Sequence, residues 1–210
     1  MENSKIEWCD HTHNEWEGCT HISPGCKNCY AEQRAKRFNT VEWGKGKLRR
    51  QTSIKTRNQV YKWNTRLEGT GKKEIVFVNS LSDWADDDVP NGWRDELFQR
   101  INECRNLNFL LLTKRPKDAI AYFKSRILSL EKFDFDVKKF KNIMLGVSIC
   151  TQKEADEKIP VLLEIKNLTG CKIFLSMEPL IEKVDVYDKM TILPCEYCGA
   201  FDGEPPKDKK

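Results

Sequence analysis

Apolar residues in this chain come in short runs, each closed by a cluster of polar residues and followed by a stretch of helical period. Glu74-Ile-Val-Phe-Val78 is β-branched and aromatic and ends in Asn79-Ser80-Leu81-Ser82-Asp83. Asn108-Phe-Leu-Leu-Leu112 ends in Thr113-Lys114-Arg115-Pro116, and Asn142-Ile-Met-Leu-Gly-Val147 ends in Ser148. A fourth run, Lys172-Ile-Phe-Leu175, ends in Ser176-Met177-Glu178-Pro179. Short apolar runs bounded in this way read as strands. Between them, Pro90–Arg105 carries Trp93, Leu97, Phe98 and Ile101 at helical spacing. Lys117–Leu130 is helical, and so is Lys153–Ile165, with a break or kink expected at Pro160. Upstream, Tyr30–Phe38 reads as a helix of good formers and Gln59–Leu67 as a helical piece. Ile6–Cys9 reads as a short strand and Asp10–Asn14 as a polar loop.

Apolar strands alternating with amphipathic helices predict an α/β fold, a parallel sheet covered by helices. In such folds ligands bind at the carboxyl ends of the strands, whether the sheet is open or closed into a barrel. Each polar corner lies at that end. One corner alone would mean only that a loop begins there; four together favour a site.

Composition narrows the class. Of the 210 residues, 39% are hydrophobic and 32% charged, the balance of a soluble globular chain rather than a disordered one. No apolar run approaches the roughly 20 residues that span a bilayer, and the first residues lack the layout of a signal peptide. No membrane partner and a cytoplasmic location are therefore expected. In a reducing compartment the nine cysteines are read as metal ligands, catalysts or core residues rather than disulfides. Cys104, Cys150 and Cys171 stand singly beside apolar stretches and read as core packing.

Cys19, Cys26 and Cys29 are different: C-x6-C-x2-C places three thiolates in eleven residues. Three thiolates can hold a metal or an iron–sulfur cluster and leave one coordination position open. The competing reading is a structural zinc site that joins Cys26-x2-Cys29 to Cys195-x2-Cys198. His11, His13 and His21 lie near the cysteines, as ligands, proton donors or ordinary hydrogen-bonding groups.

The formal net charge of +4 is mild, but its distribution is uneven. Residues 41–73 hold ten Lys or Arg against Glu42 and Glu68, with Trp43, Tyr61 and Trp63 interleaved, and Asp86-Asp87-Asp88 follow. A basic stretch with aromatics suits a nucleic-acid backbone. Solvated helix faces carry such charge as well.

The block Lys5-Ile-Glu-Trp … Gly18-Cys19-Thr20 … Ser23-Pro24-Gly25-Cys26-Lys27-Asn28-Cys29-Tyr30-Ala31-Glu32, with the four corners in order, resembles a phage- and prophage-associated radical-SAM-like family with a three-cysteine motif. The resemblance covers about residues 5–185. It implies a partial TIM-like (β/α) barrel over 1–187, followed by a divergent tail over 188–210. Cys19, Cys26 and Cys29 would hold a 4Fe-4S cluster whose remaining iron binds S-adenosylmethionine. Reductive cleavage to methionine and a 5′-deoxyadenosyl radical would then be followed by hydrogen abstraction from a substrate, with a nucleic acid or nucleotide as the candidate.

On that resemblance Asn79, Ser80 and Asp83 are candidates for the ribose or methionine part of the cofactor, or caps of the next helix. Lys114 and Arg115 suit a carboxylate or phosphate, and Glu178 suits an amine. Ser148 and Ser176 are further cofactor candidates that also read as turn or cap residues; Lys114 and Glu178 are the catalytic candidates. The partners implied are an electron donor such as flavodoxin or ferredoxin, a protein encoded nearby, and nucleic acid through 41–73. The sequence departs from the family in three ways. The cysteine spacing exceeds the usual C-x3-C-x2-C of radical-SAM enzymes, although it agrees with this family. His13-Asn14-Glu15 stands where the family has Trp-Asn-Pro. After Glu178-Pro179-Leu180 the expected Gly-Gly-Glu corner and last strand are replaced, which reads as a C-terminal shortening. The rival functions are a zinc-stapled nucleic-acid-binding module and a degenerate, non-catalytic relative.

Overall fold

The computed structural model describes residues 1–128 and 141–187. The tail beyond residue 187, with Cys195 and Cys198, lies outside the described residues. The four expected strands form as β4 (Glu74–Val78), β5 (Leu107–Thr113), β6 (Ile143–Ser148) and β7 (Lys172–Ser176). They are joined by a fifth, β1 (His11–His13), in a parallel sheet of order β1-β4-β5-β6-β7. A two-stranded antiparallel ribbon, β2 (Trp16–Glu17) with β3 (Arg50–Gln51), stands apart from it.

The helices are α1 (Tyr30–Phe38), α2 (Ile54–Arg57), α3 (Gln59–Arg66), α4 (Asn91–Glu103), α5 (Pro116–Leu128) and α6 (Gln152–Thr169). One face of the sheet is dry: Val76, Val78, Leu107, Phe109, Leu111, Ile143 and Leu145 pack against Trp63, Leu97, Phe98, Ile101 and Phe123 from the helices. On the other face Phe77 and Leu110 are buried with Cys9, and Ile75, Leu112, Met144, Phe174 and Ile6 are only partly covered. Period-2 alternation thus divides each strand between a helix-covered face and a half-open one.

Two local expectations fail, each for a traceable reason. The first strand is not Ile6–Cys9 but His11-Thr12-His13, in parallel register with Val76-Phe77-Val78. A polar strand is tolerated there because each histidine finds a partner. The His11 ring stacks on Trp63 with centroids 4.2 Å apart, and its Nε2 lies 2.7 Å from Glu74 Oε2. His13 Nε2 lies 2.8 Å from the buried Glu15 Oε1. The second is the break allowed for at Pro160, which does not end α6. Its side chain is exposed, so the backbone carbonyl deprived of its donor can turn to water. The helix starts at Thr151, whose hydroxyl accepts from Glu154 N, and stops at Gly170 with φ 69°, a left-handed end that favours glycine.

Candidate functional site

All strands of the main sheet run the same way, so β1, β4, β5, β6 and β7 end on one side. A cleft of about 1040 Å³ opens there. Its lining includes Cys19, Cys26 and Cys29 together with Asn79, Ser80, Asp83, Lys114, Arg115, Ser148, Ser176 and Glu178. Every site residue expected from the sequence therefore faces the same space. Arg34, Trp43, Arg50 and Thr52–Ser53 line it as well.

The cysteine loop is held from several sides. Pro24–Cys26 makes one 3-10 turn capped by Ser23, whose hydroxyl accepts from Gly25 N. The turn rests directly on Cys150 at the end of β6, where a side chain on Gly25 would collide with the sulfur. Tyr30 donates its hydroxyl proton to Ser80 O and so ties the start of α1 to the corner after β4. Asn14, just past β1, reaches the same corner: its Oδ1 accepts from Leu81 N at 2.8 Å and its Nδ2 donates to Ser80 Oγ at 3.2 Å. Tyr30 and Asn14 were not among the residues singled out for the site, although Asn14 is what remains of the family's Trp-Asn-Pro element.

The corner residues differ in availability. Asp83 is fully engaged: Oδ1 accepts from Thr113 Oγ1 at 2.6 Å and Ala85 N at 3.0 Å. Its Oδ2 accepts from Lys114 N at 2.9 Å and Arg115 Nη1 at 3.2 Å. It braces the β5 corner and has no acceptor left for a ligand. Arg115, expected to receive a carboxylate or phosphate, is buried and turned toward the cysteine loop. Its Nη1 lies 3.4 Å from Cys19 Sγ, and its Nη2 donates to Thr20 O at 2.8 Å.

Asn79, by contrast, is 3% exposed, and its Nδ2 has no partner among the described residues. Its φ of 56° is left-handed, a conformation that asparagine tolerates better than most residues. Lys114 makes no ion pair among the described residues; its Nζ donates to Ser148 Oγ at 3.1 Å. Glu178 is exposed and has no cationic partner among them. The site thus offers an orphaned buried amide, a lysine without a counter-ion and a carboxylate without a cation.

Burial pushes the Cys19 thiol up to about 12, with the Asp83 charge adding to the rise and Arg115 opposing it. Among the described residues, the only trio of possible ligand groups lying within 4.8 Å of one another is Asp86, Asp87 and Asp88. Arg49 occupies that cluster, pairing with Asp86 at 2.8 Å and Asp88 at 3.0 Å. The three cysteine sulfurs thus do not all lie within 4.8 Å of one another, whereas the sulfurs around one tetrahedral zinc lie about 4 Å apart. A cluster, in which each thiolate takes a different iron, fits a wider spread.

Half of the ten basic residues in 41–73, namely Lys45, Lys47, Arg49, Arg50 and Arg66, are in ion pairs with carboxylates of this chain. Lys72 and Lys73 precede β4 and so lie at the opposite end of the sheet from the cleft. The histidines likewise have carboxylate partners, His21 through Glu32 at 2.9 Å. No helix among the described residues is long and apolar enough to cross a membrane.

A family model described as a protein of unknown function (DUF5131) matches residues 3–199. Among solved structures, the fold is similar to spore photoproduct lyase complexed with dinucleoside spore photoproduct. That match has 13% identity, a TM-score of 0.57, and covers 87% of this chain and 49% of the other. A double variant of that lyase with bound AdoMet and the same dinucleoside matches at 12% identity and a TM-score of 0.56, covering 90% of this chain and 50% of that one. A cysteine-to-serine variant matches at 14% and 0.55, covering 85% and 48%. At such identities the likeness is one of fold, and this chain spans about half the length of those structures. No curated protein matches the chain.

Proposed function

The chain belongs to the DUF5131 family, proteins of unknown function, and from that premise we propose that it is a radical-SAM-like iron–sulfur protein on a partial (β/α) barrel. Cys19, Cys26 and Cys29 would hold a 4Fe-4S cluster, and S-adenosylmethionine would occupy the cleft beside it. When bound, the cluster supplies one electron to the sulfonium, whose C–S bond breaks to give methionine and a 5′-deoxyadenosyl radical. The electron comes from an external carrier of the flavodoxin or ferredoxin kind.

The observation that carries the reading is the convergence of three cysteines and four strand-end polar corners on one cleft. The chain's own residues suit the cofactor's polar groups. Glu178, which lacks a cation, would take the amino group, and Lys114, which lacks a counter-ion, the carboxylate. Asn79 Nδ2, buried without an acceptor, would donate to the ribose or methionine part. Ser80, Ser148 and Ser176 add hydroxyls around it. Closing these groups on the cofactor keeps water and stray hydrogen donors from the reacting carbon. The fold likeness to a lyase with bound AdoMet supports the cofactor class. The substrate, a nucleic acid or nucleotide in this reading, meets Arg34, Trp43 and Arg50, which also line the cleft.

Anaerobic reconstitution tests this. The protein should take up about four irons per chain and release 5′-deoxyadenosine from S-adenosylmethionine when given a reductant. Cys26→Ala should abolish both. Colourless protein with one tightly bound zinc, or 5′-deoxyadenosine formation that survives Cys26→Ala, would overturn the proposal.

A further inference from the structure

We infer that Arg115 sets the reduction potential of the cluster, acting as a positioning and charge-compensating residue on Cys19; this rests on the cluster reading above. Arg115 is 5% exposed, and its guanidinium is held from three directions. Its Nη1 sits between Cys19 Sγ at 3.4 Å and Asp83 Oδ2 at 3.2 Å. Its Nη2 donates to Thr20 O at 2.8 Å and lies 3.8 Å from Asp86 Oδ1. The backbone helps too: Arg115 N donates to Thr113 Oγ1 at 2.8 Å, which fixes the residue just before α5 begins. One side chain therefore joins the corner after β4, the corner after β5 and the cysteine loop.

A buried arginine between two aspartates could be only a brace, but its direction toward the sulfur has a chemical consequence. Cys19 as a ligand is a thiolate, and a hydrogen bond to a ligand sulfur is one of the levers that set a cluster's potential. The reduced cluster carries one more negative charge than the oxidised one. A donor with a permanent positive charge stabilises the reduced form more, so it raises the potential. Asp83 and Asp86 work in the opposite direction from the same side. Removing Arg115 takes away the hydrogen bond and also leaves Asp83 without its cation beside Cys19, while Asp86 keeps Arg49. The two changes have the same sign.

The test is the midpoint potential of the reconstituted protein, read by dye-mediated titration of the cluster's visible absorbance and of the reduced-state electron paramagnetic resonance signal. Arg115→Met should load iron and be at least tenfold harder to reduce, a downward shift of about 59 mV for one electron. Arg115→Lys keeps the charge but not the fork that serves sulfur and Thr20 O together, and should fall between the two. Iron-loaded Arg115→Met with an unchanged or raised midpoint overturns the assignment. Should these variants fold poorly, the unmodified protein labelled with 15N-arginine gives an independent reading. Its reduced cluster should show a hyperfine coupling to an arginine nitrogen and to an exchangeable proton, and absence of both refutes the contact. A protein that takes up no iron at all fails at the level of the cluster itself, and iron analysis separates that outcome from failure of the Arg115 assignment alone.

Discussion

Gly25 gives the sharpest test of how the cysteine loop is seated. A methyl group added there would fall 2.3 Å from Cys150 Sγ, whereas its next neighbours, Pro179 Cδ at 3.4 Å and Cys150 Cβ at 3.6 Å, are at ordinary contact distance. Gly25 is not among the residues of positive φ, so the backbone itself would accept alanine. Without the collision, Gly25→Ala would stabilise the protein by about 0.4–1 kcal/mol through the unfolded chain. Overpacking against a fully buried sulfur costs about 1–3 kcal/mol, and the overlap exceeds an ångström, which favours the upper half of that range. The net expectation is a loss of about 1–2 kcal/mol.

Relief should come from one atom. Cys150→Ala alone should cost about 0.5–1.5 kcal/mol, like the loss of a single buried methyl. In the double variant the new methyl occupies the space that the sulfur vacates, so the two costs should largely cancel and the double-mutant cycle should show a coupling of about 1–3 kcal/mol. Urea unfolding followed by tryptophan fluorescence measures both terms. Iron uptake reports the loop directly: reduced in Gly25→Ala, restored in the double variant. Gly25→Ala as stable as the parent, or costs that simply add, would refute the packing argument.

Two further expectations concern the surroundings of the cleft. Burial pushes the Glu154 carboxyl up, but hydrogen bonds from Lys158, Ser23 and Cys150 N outweigh it and hold it below the usual carboxylate value. A depressed folded-state value means that stability is present above the unfolded value, about 4.5, and is lost as pH falls through that range. The urea midpoint should therefore fall as the pH drops below about 5, and Glu154→Gln should flatten part of that fall; an identical pH slope in the variant would exclude Glu154 as a contributor. Arg49 and Asp86 form an ion pair whose side chains are both 0% exposed. Arg49→Met should cost about 3–5 kcal/mol, because it leaves the buried Asp86 carboxylate with only Arg115, at 3.8 Å, as an ion-pair partner among the described residues. A loss below about 1 kcal/mol would show that Arg94 and Arg115 compensate Asp86 without it.

The four apolar strands and their polar corners were legible because each is a local pattern. A run such as Ile75–Val78 is sheet-like wherever it lies, and in a parallel α/β sheet all strand ends share one side. That side collected Asn79, Lys114, Ser148, Ser176 and Glu178 with the three cysteines, as the spacing had implied. The His11–His13 strand was not legible, since its polarity makes sense only beside Trp63, Glu74 and Glu15, two of which are more than fifty residues away. Likewise the sequence offers Asp83 and Arg115 as two free charges at separate corners, suited to a ligand. Tertiary structure brings them within 3.2 Å of each other and Arg115 within 3.4 Å of Cys19, where they support the cysteine loop. Composition and periodicity determined which residues could reach the cleft. Which of them remain free to act there depended on partners distant in sequence, because a buried charge or amide is neutralised by whatever the fold places beside it.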